Sequence, residues 1–289
     1  MTPAGLISAQ IEAGVVVPGS ADQVVPWWSF TKTVVAVAAL ALVDAGRLSL
    51  NGAVYGAPYT LRQLLRHEAG LPDYGGLPPY HQAVAQGDVP WSREDLRTAV
   101  EAGRLRYPPG VGWAYSNIGY RTVRERVEAA MGQPLGETLD RLVLQPLGLK
   151  HARLAETPAD LTSVEMGSAA GYHPGWVYHG LLVGPLSEAA LLLDRLSRLL
   201  PPSWLAAMRT LTPLPQFASP LHPAPSYGLG LMSPYGDAAR ACGHTGGGPG
   251  SSIAVYRFAQ TYPARTVAVF GTVEDEAVVE AEAFRRGES

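Results

Sequence analysis

The stretch Trp28-Ser29-Phe30-Thr31-Lys32-Thr33, followed by the apolar run Val34–Val43, decides the reading of this 289-residue chain. It holds one of only two lysines, against twenty arginines. A guanidinium stays charged at any working pH, whereas an ammonium can give up its proton and act as a base. The apolar run predicts a buried helix over residues 31–46, ending near Gly46. On such a helix Ser29 and Lys32 share one face near the N-terminus, within reach of each other. That is a nucleophile with a candidate base beside it. The competing reading makes Ser29 a simple N-cap. A capping box, however, places Glu or Gln where Lys32 stands. A cation in the first turn also opposes the helix dipole, by about 0.3–1 kcal/mol. The same dipole lowers a lysine pKa, which a base needs. Composition alone gives about 0.1 chance matches to Ser-x-x-Lys in such a chain.

Working outward, Leu6–Val17 and Val24–Trp28 read as short strands broken by Pro18-Gly19. Helical patterns with proline-rich joints follow at Leu61–Arg66, Arg93–Ala102, Gly119–Ala130 and Leu135–Leu144. Ala152–Val183 has weak periodicity and reads as loop, and Leu186–Leu200 and Pro202–Leu211 read as helices. Strand signals return at Tyr227–Met232, Ser251–Phe258 and Arg265–Gly271, and a closing helix runs from about Glu274 to Arg286. The expected fold is α/β of the α+β kind. An antiparallel sheet is built from both chain termini and flanked by helices, with a mainly helical inserted subdomain. We expect one catalytic domain over 1–289, with 1–60 plus 186–289 forming sheet and helices and 61–185 the helical insertion.

Two further constellations stand out. Tyr115-Ser116-Asn117 follows the rigid turn Tyr107-Pro108-Pro109-Gly110, and such loops often carry functional residues. Ser and Asn are also ordinary turn formers, and Tyr115 could be a packing aromatic. Yet with two asparagines in the chain, Tyr-x-Asn is expected by chance only about 0.1 times. The second constellation is Gly243-His244-Thr245-Gly246-Gly247-Gly248-Pro249-Gly250. Its glycines require a sharp turn or a close backbone approach. A plain hairpin loop satisfies that need; beside a nucleophile, strand N–H groups there could instead form an oxyanion hole.

Composition excludes several classes. With 47% hydrophobic and 16% charged residues the chain is globular. A net charge of −3 with dispersed arginines argues against nucleic acid as a partner. The apolar run after Lys32 is too short for a bilayer span, so no membrane partner is expected. Met1-Thr2-Pro3-Ala4-Gly5 has neither a charged n-region nor an apolar h-region, which gives the expectation of a cytoplasmic protein. The single cysteine, Cys242, rules out an intrachain disulfide and reads as a core thiol. His67-Glu68 begins a His-Glu-x-x-His zinc motif, but Leu71 occupies the second histidine position, and no metal or cofactor is expected. No Gly-x-Ser-x-Gly elbow occurs; Gly250-Ser251-Ser252-Ile253-Ala254 is nearest and falls in a strand. No dinucleotide fingerprint is present either.

In chain order, Ser-x-x-Lys, Tyr-x-Asn and His-Thr-Gly resemble the three active-site motifs of the serine β-lactamase and penicillin-binding superfamily. The similarity is greatest to its class C branch, which includes D-alanyl-D-alanine carboxypeptidases, D-aminopeptidases and esterases. It extends to Ala45-Gly46-Arg47-Leu48-Ser49-Leu50, to Leu64–Tyr74, to Pro146-Leu147-Gly148-Leu149 and to Tyr227-Gly228-Leu229-Gly230-Leu231. Two departures matter. His244 stands where many relatives carry a lysine, so a fixed cation for a substrate carboxylate is weaker. His67-Glu68-Ala69-Gly70 replaces the usual His-Thr-Ser-Gly.

The resemblance implies acyl transfer on a small ester, amide or peptide substrate. Ser29 attacks, Lys32 or Tyr115 serves as base, and Tyr115 protonates the leaving group. Asn117 holds Lys32 and a substrate amide, and the N–H groups of Ser29 and Gly247 bind the oxyanion. His244, Thr245 and Gly246 orient the substrate. A neutral Lys32 near pH 7 requires a pKa lowered by roughly three units, about 4 kcal/mol of differential interaction. The alternative is a penicillin-binding-like module that holds peptide or cell-wall fragments without useful turnover. The sequence does not choose among ester, D-amino peptide and β-lactam substrates, and it leaves oligomeric state open.

Overall fold

A computed structural model describes residues 5–169 and 171–289. The strands are β1 (Leu6–Glu12), β2 (Val15–Val16), β3 (Val24–Pro26), β4 (Arg153–Ala155), β5 (Leu181–Pro185), β6 (Thr212–Pro213), β7 (Ser226–Tyr227), β8 (Met232–Ser233), β9 (Cys242–Gly248), β10 (Ser251–Phe258) and β11 (Arg265–Gly271). The helices are α1 (Thr31–Asp44), α2 (Leu61–Leu65), α3 (Pro78–Gln86), α4 (Arg93–Ala99), α5 (Asn117–Met131), α6 (Leu135–Leu139), α7 (Gln145–Leu147), α8 (Leu186–Asp194), α9 (Pro202–Met208) and α10 (Glu276–Glu288).

As expected, an antiparallel sheet joins both ends of the chain, in the order β2-β1-β11-β10-β9-β8-β7-β6. β1 enters beside β11, with Leu6 opposite Gly271 and Glu12 opposite Arg265. Both faces of the central strands are buried, so they read as continuous apolar runs. Alternate residues serve different layers. Ile253, Val255, Ala268 and Phe270 join the main core with α1 and α8, whereas Ala254, Tyr256, Val267 and Val269 pack with Val279, Ala283 and Phe284 of α10. Cys242 is a buried free thiol, its pKa pushed up by burial.

Several sequence expectations are corrected. The first hairpin turns at Ala13-Gly14, where φ is positive at both residues, and not at Pro18-Gly19. The strand expected over Val24–Trp28 does not join the large sheet; β3 pairs with β5, and β5 with β4, in a separate sheet. Those two partners fall within or at the end of the span read as loop. Their short runs show no period because β5 is buried on both sides. Tyr227–Met232 is not one strand: it breaks into β7 and β8 around Gly230, whose φ is +75°. Helix α3 falls where the sequence pattern shows only a proline-rich joint; its first two residues are Pro78 and Pro79, at positions where a helix tolerates proline. Asp140–Leu144 continues α6 as a π-helical turn. Of the two readings of the glycine run, the strand holds: Cys242–Gly248 is β9 and only Pro249-Gly250 turns.

Helix α1 is the hub. It is buried on all sides from Thr31 to Leu40, which explains its uniform apolarity and lack of an amphipathic stripe. No helix among the described residues is long and apolar enough to cross a membrane.

Candidate active site

Ser29 sits in a single helical turn, Trp28–Phe30, immediately before α1. It is not the N-cap: Phe30 takes that position and no side chain caps the helix. Trp28 adopts φ +40°, an unfavourable conformation for a bulky residue that costs about 1–3 kcal/mol. Burial of its ring and a 3.1 Å bond from its Nε1–H to Ser251 Oγ hold it there. The strained turn presents Ser29 to a cleft of about 690 Å³.

Lys32, in the first turn of α1, is fully buried, with Nζ 3.0 Å from Ser29 Oγ. Burial lowers its pKa from 10.5 to about 7, against the opposing pull of the Asp73 and Glu276 carboxylates. The second neighbour of Nζ is His179 Nε2 at 3.2 Å. Burial and the Lys32 charge hold His179 well below the usual histidine range, so it is neutral and accepts from Lys32. With one hydrogen directed at His179, a neutral Lys32 amine can turn its lone pair to the Ser29 hydroxyl.

Tyr115 arrives on the loop before α5, with Lys32 Nζ 4.9 Å from its ring centroid. Its hydroxyl is hydrogen-bonded to Ser29, yet burial raises its pKa well above 10, so it remains a phenol. Ser116 is the true cap of α5, its Oγ accepting from Gly119 N at 3.0 Å. Asn117 lines the cleft, but its bonds go elsewhere than expected. Its N–H and Nδ2 donate to Asp73, at 2.7 and 3.4 Å, while Lys32 is held by Ser29 and His179.

β9 closes the opposite side. A Cβ at Gly246 would lie 2.5 Å from Ser29 N and 2.8 Å from Trp28 Cβ, so only glycine lets this strand approach the nucleophile. Gly247 and Thr245 line the cleft, and Thr245 is hydrogen-bonded to Glu276. His244, expected to orient the substrate, stands on β9 among the residues lining the cleft. It is fully buried, and burial together with the Lys32 charge lowers its pKa to about 3. Both ring nitrogens are engaged within the protein, Nδ1 with Thr245 O and Nε2 with Tyr227 Oη at 3.0 Å.

These bonds belong to an ordered chain. Ser116 N–H donates to His67 Nδ1 at 3.1 Å, which leaves the proton of neutral His67 on Nε2, 3.2 Å from Tyr227 Oη. The carbonyl of Thr245 can only accept, so the His244 proton is on Nδ1 and its Nε2 accepts from Tyr227. Tyr227 thus ties the Tyr115 loop to β9. Tyr227→Phe would leave a buried donor and a buried acceptor unpaired, at about 1–3 kcal/mol each. We expect a Tm lower by several degrees and reduced kcat; a Tm within one degree of wild type would contradict the ordered chain.

The structure therefore brings together Ser29, Lys32, Tyr115, Asn117, Thr245, Gly246 and Gly247, with His244 buried in the cleft wall beside them. Sequence reading missed His179, Asp73, Glu276 and Tyr227 as parts of the site. Asp73 and Tyr227 lay in stretches quoted for their resemblance, whereas no local pattern marks His179 or Glu276.

Known proteins resemble this chain in sequence and in fold. The model of the Beta-lactamase family matches residues 4–284. A D-aminopeptidase of Cereibacter sphaeroides is 30% identical over 156 residues, covering 52% of this chain and 29% of the relative. Esterase EstB of Burkholderia gladioli is 31% identical over 168 residues, covering 51% and 41% respectively. The match thus spans less than half the length of each of these curated relatives. Among solved structures, D-amino acid amidase from Ochrobactrum anthropi SV3 superposes with a TM-score of 0.80 at 19% identity, covering 99% of this chain and 95% of that one. A D-stereospecific amidohydrolase from Streptomyces sp. gives 0.76 at 23%, covering 96% and 93%. At those identities the structural likeness speaks for the fold, and the family match over nearly the whole chain speaks for descent: the protein belongs to the beta-lactamase family.

Proposed function

We propose that the protein is a serine hydrolase that cleaves ester or amide bonds of small substrates through an acyl-enzyme. The observation that carries this reading is a buried lysine, its pKa near 7, whose amine stands 3.0 Å from a serine hydroxyl at the floor of an open cleft. The chain acts as one catalytic unit, residues 1–60 with 186–289 supplying Ser29, Lys32 and β9, and residues 61–185 supplying Tyr115, Asn117 and His179.

Ser29 Oγ attacks the substrate carbonyl as its proton passes to Lys32 Nζ. The N–H groups of Ser29 and Gly247 bind the oxyanion, each worth about 2.7–4 kcal/mol in comparable hydrolases. The intermediate collapses when the leaving group takes a proton from Tyr115, which regains one from Lys32. Water then repeats the sequence against the acyl-enzyme. Lys32 and not Tyr115 is the base in this reading, because burial disfavours the ammonium and the phenolate alike. Asn117, fixed through Asp73, presents its side chain to the substrate amide, while Thr245 and Gly246 define the edge along which the substrate lies.

The test is hydrolysis of p-nitrophenyl acetate by wild type and by Ser29→Ala, with the first turnover recorded. Turnover by wild type, and a fall of about 10³-fold or more in the variant, is the expected result. Equal rates would remove Ser29 from the chemistry, and an inert wild type would favour a binding module.

A further inference from the structure

The charge of the cleft goes further than the reaction class. Of the places where a substrate carboxylate could find a cation, the one on β9 holds His244, neutral and with both nitrogens occupied. Among the described residues lining the cleft there is no arginine and no lysine, while Asp73, Glu274 and Glu276 are carboxylates. Lys32 lies behind Ser29, fully buried and committed to Ser29 and His179.

The three carboxylates are not equivalent. Asp73 is spent inside the protein, accepting from Asn117 N, Asn117 Nδ2 and Gly75 N. Glu276 is half-buried at the start of α10 and faces the reacting strand from close range: a Cβ on Gly247 would lie 2.7 Å from its Oε1. Among the described residues it makes no ion pair; burial raises its carboxyl pKa, against the hydrogen bond from the neutral Thr245 hydroxyl and the more distant Lys32 charge. The capping of α10 falls to Asp275, whose Oδ1 accepts from Ala277 N at 2.9 Å, so Glu276 is not needed for that purpose. An independent feature of the same cleft suits a cation. Its lining includes the partly exposed Tyr80 and Tyr115, backed by the buried Trp28, Tyr74 and Tyr172, and aromatic faces attract ammonium groups through their quadrupoles. An unpaired carboxylate in a partly desolvated, aromatic-walled cleft attracts a cation and repels an anion far more strongly than it would in water.

Resting on the hydrolase reading above, we propose that Glu276 makes the cleft select substrates carrying a protonated amine and reject those that present a carboxylate. Such a substrate is an amino-acid ester or amide, or a peptide with a free amine, and not a peptide recognised by its C-terminal carboxylate.

The experiment compares kcat/KM for the methyl esters of D-alanine, N-acetyl-D-alanine and N-succinyl-D-alanine, with p-nitrophenyl acetate as the neutral reference. Wild type is expected to prefer the free amine over the acetylated ester by about tenfold or more, with the succinylated ester slowest. Glu276→Gln, which keeps the side-chain volume and the Asp275 cap, is expected to reduce the amine-to-acetyl ratio by about tenfold and to narrow the gap to the succinyl ester. If wild type cleaves p-nitrophenyl acetate but shows no preference for the amine, or cleaves none of the three esters, the assignment of Glu276 is overturned while the hydrolase reading stands. An amine preference that survives unchanged in a folded Glu276→Gln protein overturns it as well. If wild type cleaves neither the reference nor the esters, the hydrolase reading fails and takes the assignment with it.

Discussion

Lys32→Met is expected to abolish acylation and, at the same time, to make the protein more stable. Methionine has nearly the volume of lysine but cannot accept the Ser29 proton, so kcat/KM for an ester should fall by about 10³-fold or more. The stability gain follows from linkage. Lysine in an unfolded chain titrates near 10.4 and native Lys32 near 7, so between those values the unfolded chain binds the extra proton. Wild-type stability therefore rises with pH from about 7 to about 10, and the full penalty is present below 7. At 1.36 kcal/mol per pH unit the depression from 10.5 to about 7 is on the order of 4–5 kcal/mol. The loss of the bonds to Ser29 and His179 offsets part of this, leaving an expected gain of roughly 1–3 kcal/mol near neutrality, or several degrees in Tm. Thermal unfolding at pH 6.5 and 10 measures it: the variant should lead at the lower pH and lose its advantage at the higher. The same proton governs catalysis in wild type. The rate with a neutral ester should climb about tenfold per pH unit below 7 and level off above it, because the active form carries the neutral amine. A variant with wild-type activity, or a pH profile flat from 5 to 8, would remove Lys32 from the role of base.

Gly246→Ala is expected to be nearly as damaging, although it adds one methyl group. The new Cβ would meet Ser29 N at 2.5 Å, Trp28 Cβ at 2.8 Å and Trp27 O at 3.0 Å, none of which belongs to the free end of a flexible side chain. Relief requires β9 to retreat from the nucleophile turn, carrying the neighbouring Gly247 N–H out of line. Loss of one oxyanion donor costs about 10²–10³-fold in kcat, and overpacking costs about 1–3 kcal/mol of stability. Steady-state kinetics should show the loss mainly in kcat, with unfolding at modestly lower temperature. Full activity in this variant would mean that β9 does not contribute to the oxyanion site.

Much of the fold could be read from period and punctuation. α1 is a long apolar run, β10 and β11 have the bounds expected of them, and the sheet joins the two ends of the chain. The reading failed where burial on both sides erased the alternation, as in β5, and where a glycine turn split one apparent strand into β7 and β8. The glycine run left a turn and a strand both open, because glycine's local freedom dominates its propensity. The strand exists because β10 and the nucleophile turn pack against it, not because its residues favour it.

The candidate site divides along the same line. Ser29 and Lys32 stand three residues apart at the head of one helix, and Tyr115 and Asn117 flank the cap of another, so local geometry alone placed each pair. Those spacings, with the order of the motifs, pointed to the family and marked Ser29 as the candidate nucleophile. The state of each group was decided only by the tertiary structure. Burial brings Lys32 to about 7 and keeps His244 neutral, and no sequence pattern carries the desolvation that does this. His179 reaches Lys32 across 147 residues, and Glu276 reaches Thr245 from the last helix. Such contacts depend on how the helices and the sheet stack, which is a property of the packed core and not of any window along the chain.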